Sequence, residues 1–286
     1  MNSFNFWIFS TISSLFEESW RYIIFGFIQG ITEFIPISST AHLKVIPLLL
    51  GWEDPGVSIS ASLQLGSIIA VVTYFWKDLK FILRGILNIS HNKNWNKKNT
   101  KLFLAILFGT LPIILVGMLI KLFWNNYETS VIRTIPFIAT ISIVMGVALF
   151  KADFYGRKKK SLDNFTLLDG FLIGCSQVLA LIPGVSRSGI TITTALMSGW
   201  GRDSAARFSF LLGIPAITLA GLVEFREVIF IDELFISIPL VIGIISSGLF
   251  SWLAIDFLLK FLQKNNIMII VAYRVLFGVL LLFWYF

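Results

Sequence analysis

One cysteine and two histidines in 286 residues exclude several common chemistries. A lone Cys175 cannot form an intrachain disulfide and shows no metal-ligand spacing, and two histidines are too few for a zinc-type cluster. Charge is also scarce, with 14% of residues being Asp, Glu, Lys or Arg. Residues 1–20 lack a positive leader and a small-residue cleavage site and carry Glu17 and Glu18, so no removable signal peptide is expected. Apolar side chains dominate instead: 56% of residues are hydrophobic, with 28 Phe and 9 Trp, and the mean hydropathy is +0.84. A soluble domain cannot hide so much apolar surface. The composition points to one integral membrane domain over residues 1–286. The net charge of +7 comes from Lys and Arg in short stretches between apolar runs. That distribution is a topology signal rather than a nucleic-acid face, and no nucleic-acid partner is expected.

A spanning helix needs about 20 mostly apolar residues. Segments near 56–76, 102–123, 132–150, 204–223, 234–255 and 267–286 qualify, giving six expected spans. Two further apolar regions, 22–50 and 165–200, are interrupted by polar residues and a proline. Proline removes a backbone donor and clashes with the preceding turn. Broken backbone at membrane depth survives only where protein or a water-filled cavity surrounds it. Both regions are therefore expected to be re-entrant helix–turn–helix hairpins.

The linker after the first span holds Lys77, Lys80, Arg84, Lys93, Lys97, Lys98 and Lys101, and the linker after the third holds Lys151, Arg157, Lys158, Lys159 and Lys160. By the positive-inside rule both lie on the cytoplasmic side, with Lys260 and Lys264. The opposite connections, with Asn125, Glu128, Glu224, Glu227, Asp232 and Glu233, are poorer in Lys and richer in acid. The first hairpin then enters from outside and the second from the cytoplasm. Their sequences are related: Gly26-x-x-Gln29 runs on to Ile35-Pro36-Ile37-Ser38-Ser39, and Gly174-x-x-Gln177 runs on to Ile182-Pro183-Gly184-Val185-Ser186. Three spans between the copies turn them in opposite directions, an inverted repeat of the kind that builds a site near the bilayer midplane. Repeat 1 is expected over about 22–123 and repeat 2 over about 165–260.

Gln29 and Glu33 are four residues apart and stack on one helix face. A carboxylate among Ile31, Phe34 and Ile35 needs a partner, and an intramembrane acid is a functional hypothesis by default. The partner is sought in the run Pro183 to Thr191, where a half-helix begins near Ser186 with Arg187, Ser188 and Thr191 in its first turns. A helix N-terminus offers free N–H groups and a positive dipole end to an anion, and arginine adds a fork suited to phosphate oxygens. Ser38, Ser39 and His42 complete the set. Ser39 and His42 are three apart and could share a face, and an imidazole beside a hydroxyl and a carboxylate is a minimal kit for proton transfer or nucleophilic attack. Arg274, in the last apolar run, has three readings: pairing with an internal acid such as Asp256, binding substrate, or snorkelling. Asp169 reads as a helix-start residue rather than a ligand.

These motifs resemble the undecaprenyl pyrophosphate phosphatases, also called bacitracin-resistance proteins. That family carries (Glu/Gln)-x-x-x-Glu, then Pro-x-Ser-Ser-Thr-x-His, then Pro-Gly-x-Ser-Arg-Ser-x-x-Thr. Here they stand as Gln29 to Glu33, Pro36 to His42 and Pro183 to Thr191. The segments Gln64 to Ile68, Phe208 to Leu212 and Tyr273-Arg274 are similar as well, so the likeness runs from about residue 22 onward. The resemblance implies hydrolysis of a long polyprenyl pyrophosphate to the monophosphate and inorganic phosphate, recycling the lipid carrier of cell-wall synthesis and conferring bacitracin resistance. It implies six spans with two opposed hairpins in the bacterial cytoplasmic (inner) membrane, a site open to the outer face, frequent homodimers and a divalent cation, Mg²⁺ or Ca²⁺. Carried over position by position, Glu33, Ser39, His42 and Arg187 are the expected catalytic residues. Gln29, Ser38, Ser186, Ser188, Thr191 and Arg274 are the expected substrate contacts, and Glu33 with Gln29 the expected metal ligands. Gln29 stands where many members carry Glu, and Arg207 stands where some carry an acid.

For the nucleophile, Ser39 with His42 or Glu33 as base is the first expectation; a water activated by Glu33, or attack by His42, stays open. Inverted repeats and midplane half-helices also occur in transporters. A polyprenyl-phosphate transporter or flippase, with or without hydrolysis, is the rival expectation.

Overall fold

The computed structural model describes residues 3–92, 97–124, 126–127, 130–230 and 237–286. Lys93, Asn125, Glu128, Asp232 and Glu233, which entered the charge argument, lie outside the described residues. Among those described, the chain is helical: α1 (Ser3–Phe34), α2 (Ser39–Leu49), α3 (Gly56–Tyr74), α4 (Trp76–Asn92), α5 (Lys98–Phe123), α6 (Ile135–Tyr155), α7 (Leu167–Gln177), α8 (Arg187–Met197), α9 (Arg202–Phe230), α10 (Ile238–Lys264) and α11 (Met268–Tyr285). No strand forms among them; a single bridge joins Lys160 to Trp200.

Five helices are long and apolar enough to cross a membrane: α5, α6, α9 over Arg202–Val223, α10 and α11. A sixth candidate is α3 with α4, which are bent by 75° at the break between them. The chain is thus a multi-pass helical membrane protein. The stretch read from sequence as a charged linker, 77–101, instead contains α4. Its Leu79 and Ile82 pack inward at helical spacing, while Lys77, Lys80 and Arg84 face outward. The charges that suggested a loop are one side of an amphipathic helix.

Small residues let the helices approach closely, as expected where lipid supplies no hydrophobic drive between them. Gly26 on α1 faces α10, where an added Cβ would come within 2.2 Å of the Gly243 carbonyl oxygen, and Gly174 on α7 would meet Gly109 of α5 at 2.2 Å. The central core is aromatic and aliphatic, with Phe34, Phe75, Trp200, Phe208, Phe210, Leu149 and Ile173 all fully buried.

Both proline-broken regions fold as helix–turn–helix units. The first arm of the first unit is longer than expected. It starts at Ser3 rather than near residue 22, because nothing before Gly26 breaks a helix: there is no Pro and no Gly. The chain then turns at 35–38 into α2. In the second unit α7 starts on a capping box, the Thr166 hydroxyl accepting from the Asp169 N–H and the Asp169 carboxylate from the Thr166 N–H. This is the helix-start role expected of Asp169, which also takes Lys160 Nζ at 2.6 Å. A 3-10 turn over Val178–Leu181 follows before the chain enters α8. The turns end alike. Ser38 (φ 78°, ψ 100°) and Ser186 (φ 70°, ψ 119°) are both N-caps with positive φ, which non-glycine residues rarely adopt. The Ser38 Oγ accepts from the Ala41 N–H at 3.4 Å and the Ser186 Oγ from the Gly189 N–H at 3.2 Å.

Candidate active site

The two turns meet at one carboxylate. Glu33 lies in the last turn of α1, and its Oε2 accepts hydrogen bonds from Gln29 Nε2 at 3.2 Å and Ser39 Oγ at 2.9 Å. Its Oε1 accepts from Arg187 Nη2 at 3.1 Å. Ser39 is the first residue of α2 and Arg187 the first of α8, so the N-terminal ends of two half-helices converge on Glu33. Helix N-termini carry unsatisfied N–H groups and partial positive charge. The side chains of Glu33 and Arg187 are each 9% exposed, so little water screens the pair.

Arg187 is held from several sides. Its Nη1 donates to the Ser209 carbonyl at 3.4 Å, and its guanidinium stands 5.9 Å from the Phe34 ring centroid. Its Nε is buried with no hydrogen-bond partner among the described residues, a donor left for an incoming oxygen. The Thr191 hydroxyl donates to the Arg187 carbonyl at 2.8 Å and lies 2.6 Å from Ser209 Oγ. Ser188 Oγ lies 3.2 Å from Ser186 Oγ and donates to the Glu33 carbonyl at 3.4 Å. Gly213, one turn along α9 from Ser209, makes room for the guanidinium: an added Cβ would fall 1.7 Å from Arg187 Nη1.

His42 does not join this cluster. Its Nδ1 lies 2.8 Å from the Ser38 carbonyl and its Nε2 2.7 Å from the Tyr273 hydroxyl, and its ring stacks on Phe277 at 4.3 Å. A carbonyl only accepts, so Nδ1 carries the proton and Nε2 accepts from Tyr273. The three-residue spacing from Ser39 suggested a shared face, but the imidazole stacks on α11 and hydrogen-bonds Tyr273 rather than Ser39 or Glu33. Both ring nitrogens are thus engaged, one with the Ser38 turn and one with Tyr273 on α11.

Arg274 neither snorkels nor pairs with the internal acid named from the sequence. It is fully buried, so it does not snorkel. Asp256 is taken by Lys260 at 2.8 Å and by the Tyr74 hydroxyl at 3.2 Å, so it is not the partner of Arg274. The guanidinium donates to four backbone carbonyls instead: Ser142 at 3.1 Å, Pro36 at 2.9 Å, and Gly184 and Val185. One side chain from α11 therefore ties α6 and both turns together.

Ser209, Gly213 and Tyr273 escaped the sequence reading as individuals. The segment around Ser209 and the pair Tyr273-Arg274 were noticed only as likeness. Arg207 is also accounted for: it donates to both oxygens of Asp78 on α4, each at 2.8 Å. Among the described residues no three His, Cys, Asp or Glu side chains are placed to hold a metal ion. The oxygen donors gathered at the site are the Glu33 carboxylate and the Ser39 hydroxyl; the Gln29 carboxamide faces Glu33 with its N–H and would offer its oxygen on turning over. A hard cation such as Mg²⁺ is commonly held by one carboxylate plus waters and substrate phosphates, and this donor set fits that pattern.

The family model for the bacitracin resistance protein BacA matches residues 22–280, a span that contains both turns and Arg274. The chain belongs to the BacA family. Similar curated proteins include an undecaprenyl-diphosphatase of Prochlorococcus marinus (strain SARG), 64% identical over 273 residues that cover 96% of this chain and 94% of that one. Another, from Prochlorococcus marinus (strain MIT 9303), is 53% identical over 278 residues, covering 97% and 95%. A third, from Synechococcus sp. (strain WH7803), is 52% identical over 271 residues, covering 95% of each. In this BacA-family chain the motif segments of the sequence are the ones that the fold brings to Glu33.

Proposed function

We propose that the chain is an undecaprenyl-diphosphatase, hydrolysing undecaprenyl pyrophosphate to the monophosphate and inorganic phosphate. The observation that carries this reading is Glu33, bridged at once by the hydroxyl that opens α2 and the guanidinium that opens α8. Phosphoryl transfer is mostly positioning and charge neutralisation, and this cluster supplies both. Arg187, the N–H groups at the start of α8 and the hydroxyls of Ser186, Ser188 and Thr191 would bind the phosphates. Ser39 Oγ attacks the terminal phosphorus while its proton passes to Glu33 Oε2, already its hydrogen-bond partner, and the lipid monophosphate leaves. Water then cleaves the phosphoserine, returning the serine hydroxyl and releasing inorganic phosphate. Glu33, Gln29 and Ser39 would hold a divalent cation together with substrate oxygens. When bound, that ion neutralises charge on the phosphates.

In this reading the protein sits in the bacterial cytoplasmic membrane and the site opens toward the outer face. The two helix–turn–helix units are re-entrant halves of an inverted repeat, with α1, α2, α3, α5 and α6 corresponding to α7, α8, α9, α10 and α11. The packing supports this pairing: α1 lies on α10 as α7 lies on α5, α3 on α10 as α9 on α5, and α6 packs on α11. The matching cap geometry of Ser38 and Ser186 supports it too. The correspondence extends each repeat one helix beyond the 22–123 and 165–260 expected from sequence.

The test is phosphate release from polyprenyl pyrophosphate by purified protein in detergent, with and without a chelator. Sidedness is absent there, so a transporter that does not hydrolyse would release none. Ser39→Ala is expected to slow release about tenfold or more and to remove any phosphoenzyme found by mass spectrometry at that residue. Wild-type turnover in Ser39→Ala would assign the attack to water. Gly213→Ala is expected to fold normally, because only a side-chain tip must shift. The shift draws Arg187 off Glu33, and kcat should drop about tenfold with little change in thermal midpoint. A wild-type kcat would show that the guanidinium needs no such berth.

A further inference from the structure

Helix α4 buries one face and leaves the other uncovered. Ile82 is packed into the core, while Trp76, Lys80, Leu83, Arg84 and Leu87 form an exposed stripe at helical spacing. Lys80, Leu83, Arg84, Ile86 and Leu87 line a shallow groove along it. Lys80 Nζ stands 5.2 Å from the Trp76 ring centroid. Neither Lys80 nor Arg84 pairs with a carboxylate among the described residues. The one acid of α4, Asp78, is occupied by Arg207 of α9. The helix bends by 75° away from α3, which packs on the span α10. An amphipathic helix near the membrane plane sits at the level where apolar side chains enter the acyl region and long cationic ones reach the headgroups.

We propose that the exposed face of α4 docks anionic phospholipid, with Lys80 and Arg84 holding the headgroup phosphate and Leu83, Ile86 and Leu87 in contact with the acyl chains. Charge complementarity selects this occupant. The cations are interleaved with leucine and isoleucine, so the face matches a ligand that is anionic at one end and apolar at the other. A second copy of this chain, packed here about a two-fold axis, would set Lys80 and Arg84 against their own like charges. The surface is separate from Glu33 and Arg187 and does not depend on the hydrolase reading.

The test is native mass spectrometry of the full chain in detergent, titrated with phosphatidylglycerol and with phosphatidylcholine of the same acyl chains. Wild-type protein is expected to favour phosphatidylglycerol by about fivefold or more, since each basic residue near anionic lipid contributes on that scale. The preference should fall toward none in K80Q/R84Q, whose phosphate release should remain at the wild-type rate. It should also fall in the unsubstituted chain as NaCl rises from about 0.05 M to about 0.5 M, a reading that needs no variant to fold. Equal binding of the two lipids by wild-type protein, or an undiminished preference in K80Q/R84Q, overturns the proposal. A loss of dimer mass in K80Q/R84Q with lipid preference intact would give the face to a second copy instead.

Discussion

Arg187→Ala is expected to lower the rate of phosphate release by about a thousandfold or more, and Glu33→Ala by a similar factor. Each removes half of the contact on which the site is built: the 3.1 Å pair between the end of α1 and the start of α8. The routes to the loss differ. Without Arg187, the Glu33 carboxylate keeps its bonds from Gln29 and Ser39, so the protein should fold while the phosphates lose their principal counter-charge. Without Glu33, Ser39 loses its proton acceptor and Arg187 is left with the Ser209 carbonyl and the Phe34 ring. A buried charge left without its counter-ion costs about 3–5 kcal/mol, so both variants should unfold at lower temperature, Arg187→Ala by less because two donors still serve the carboxylate. Arg187→Lys keeps the charge but loses the planar fork, and should recover only a small part of the rate. The two residues act as a unit, so the double variant should be little worse than the poorer single one. Initial rates and thermal midpoints on the same purified samples check all four. A folded Arg187→Ala protein turning over at the wild-type rate would remove Arg187 from the mechanism.

What could be read in the sequence depended on whether the physics was local. A proline beside hydroxyl residues in an oily run announces a broken helix by itself, and both breaks formed where Pro36 and Pro183 stand. Glu33 and Arg187 were conspicuous because ionised groups are rare in apolar surroundings, and their meeting followed from needing partners. Spacing alone misled at His42. Three residues from Ser39 put it on the right turn, but the direction of the ring was decided by Phe277 and Tyr273, more than 200 residues away in the chain. Charge misled at α4, where Lys and Arg hid an amphipathic period. Gly213 gave no signal, because its function is an absence of atoms beside a guanidinium from another helix. Arg274 was visible as an anomaly, yet carbonyl partners leave no mark in a sequence and side chains such as Asp256 were the only candidates to name.

Arg274→Met carries the second large expectation: a loss of about a hundredfold in kcat with a smaller effect on stability. Two stability terms oppose one another. Four carbonyls lose a charged donor, at about 1–3 kcal/mol for each one left unsatisfied. Against that, a buried guanidinium whose hydrogen-bond partners are all backbone carbonyls no longer needs to be desolvated, which alone recovers several kcal/mol. Catalysis has no such offset. Pro36 belongs to the turn that presents Ser39, and Gly184 and Val185 to the turn that presents Arg187, so the guanidinium sets the distance between the two sides of the site. A displacement of about 1 Å there is enough for a hundredfold loss. Arg274→Lys retains a charge of the same sign, but its compact ammonium cannot span carbonyls on both turns and should stay close to Arg274→Met. The split between constants separates this role from direct substrate binding. A clamp lowers kcat with KM nearly unchanged, whereas a phosphate contact made equally in ground and transition states raises KM and leaves kcat alone. If Arg274→Met raises KM only, Arg274 belongs among the substrate contacts and the two turns keep their register without it.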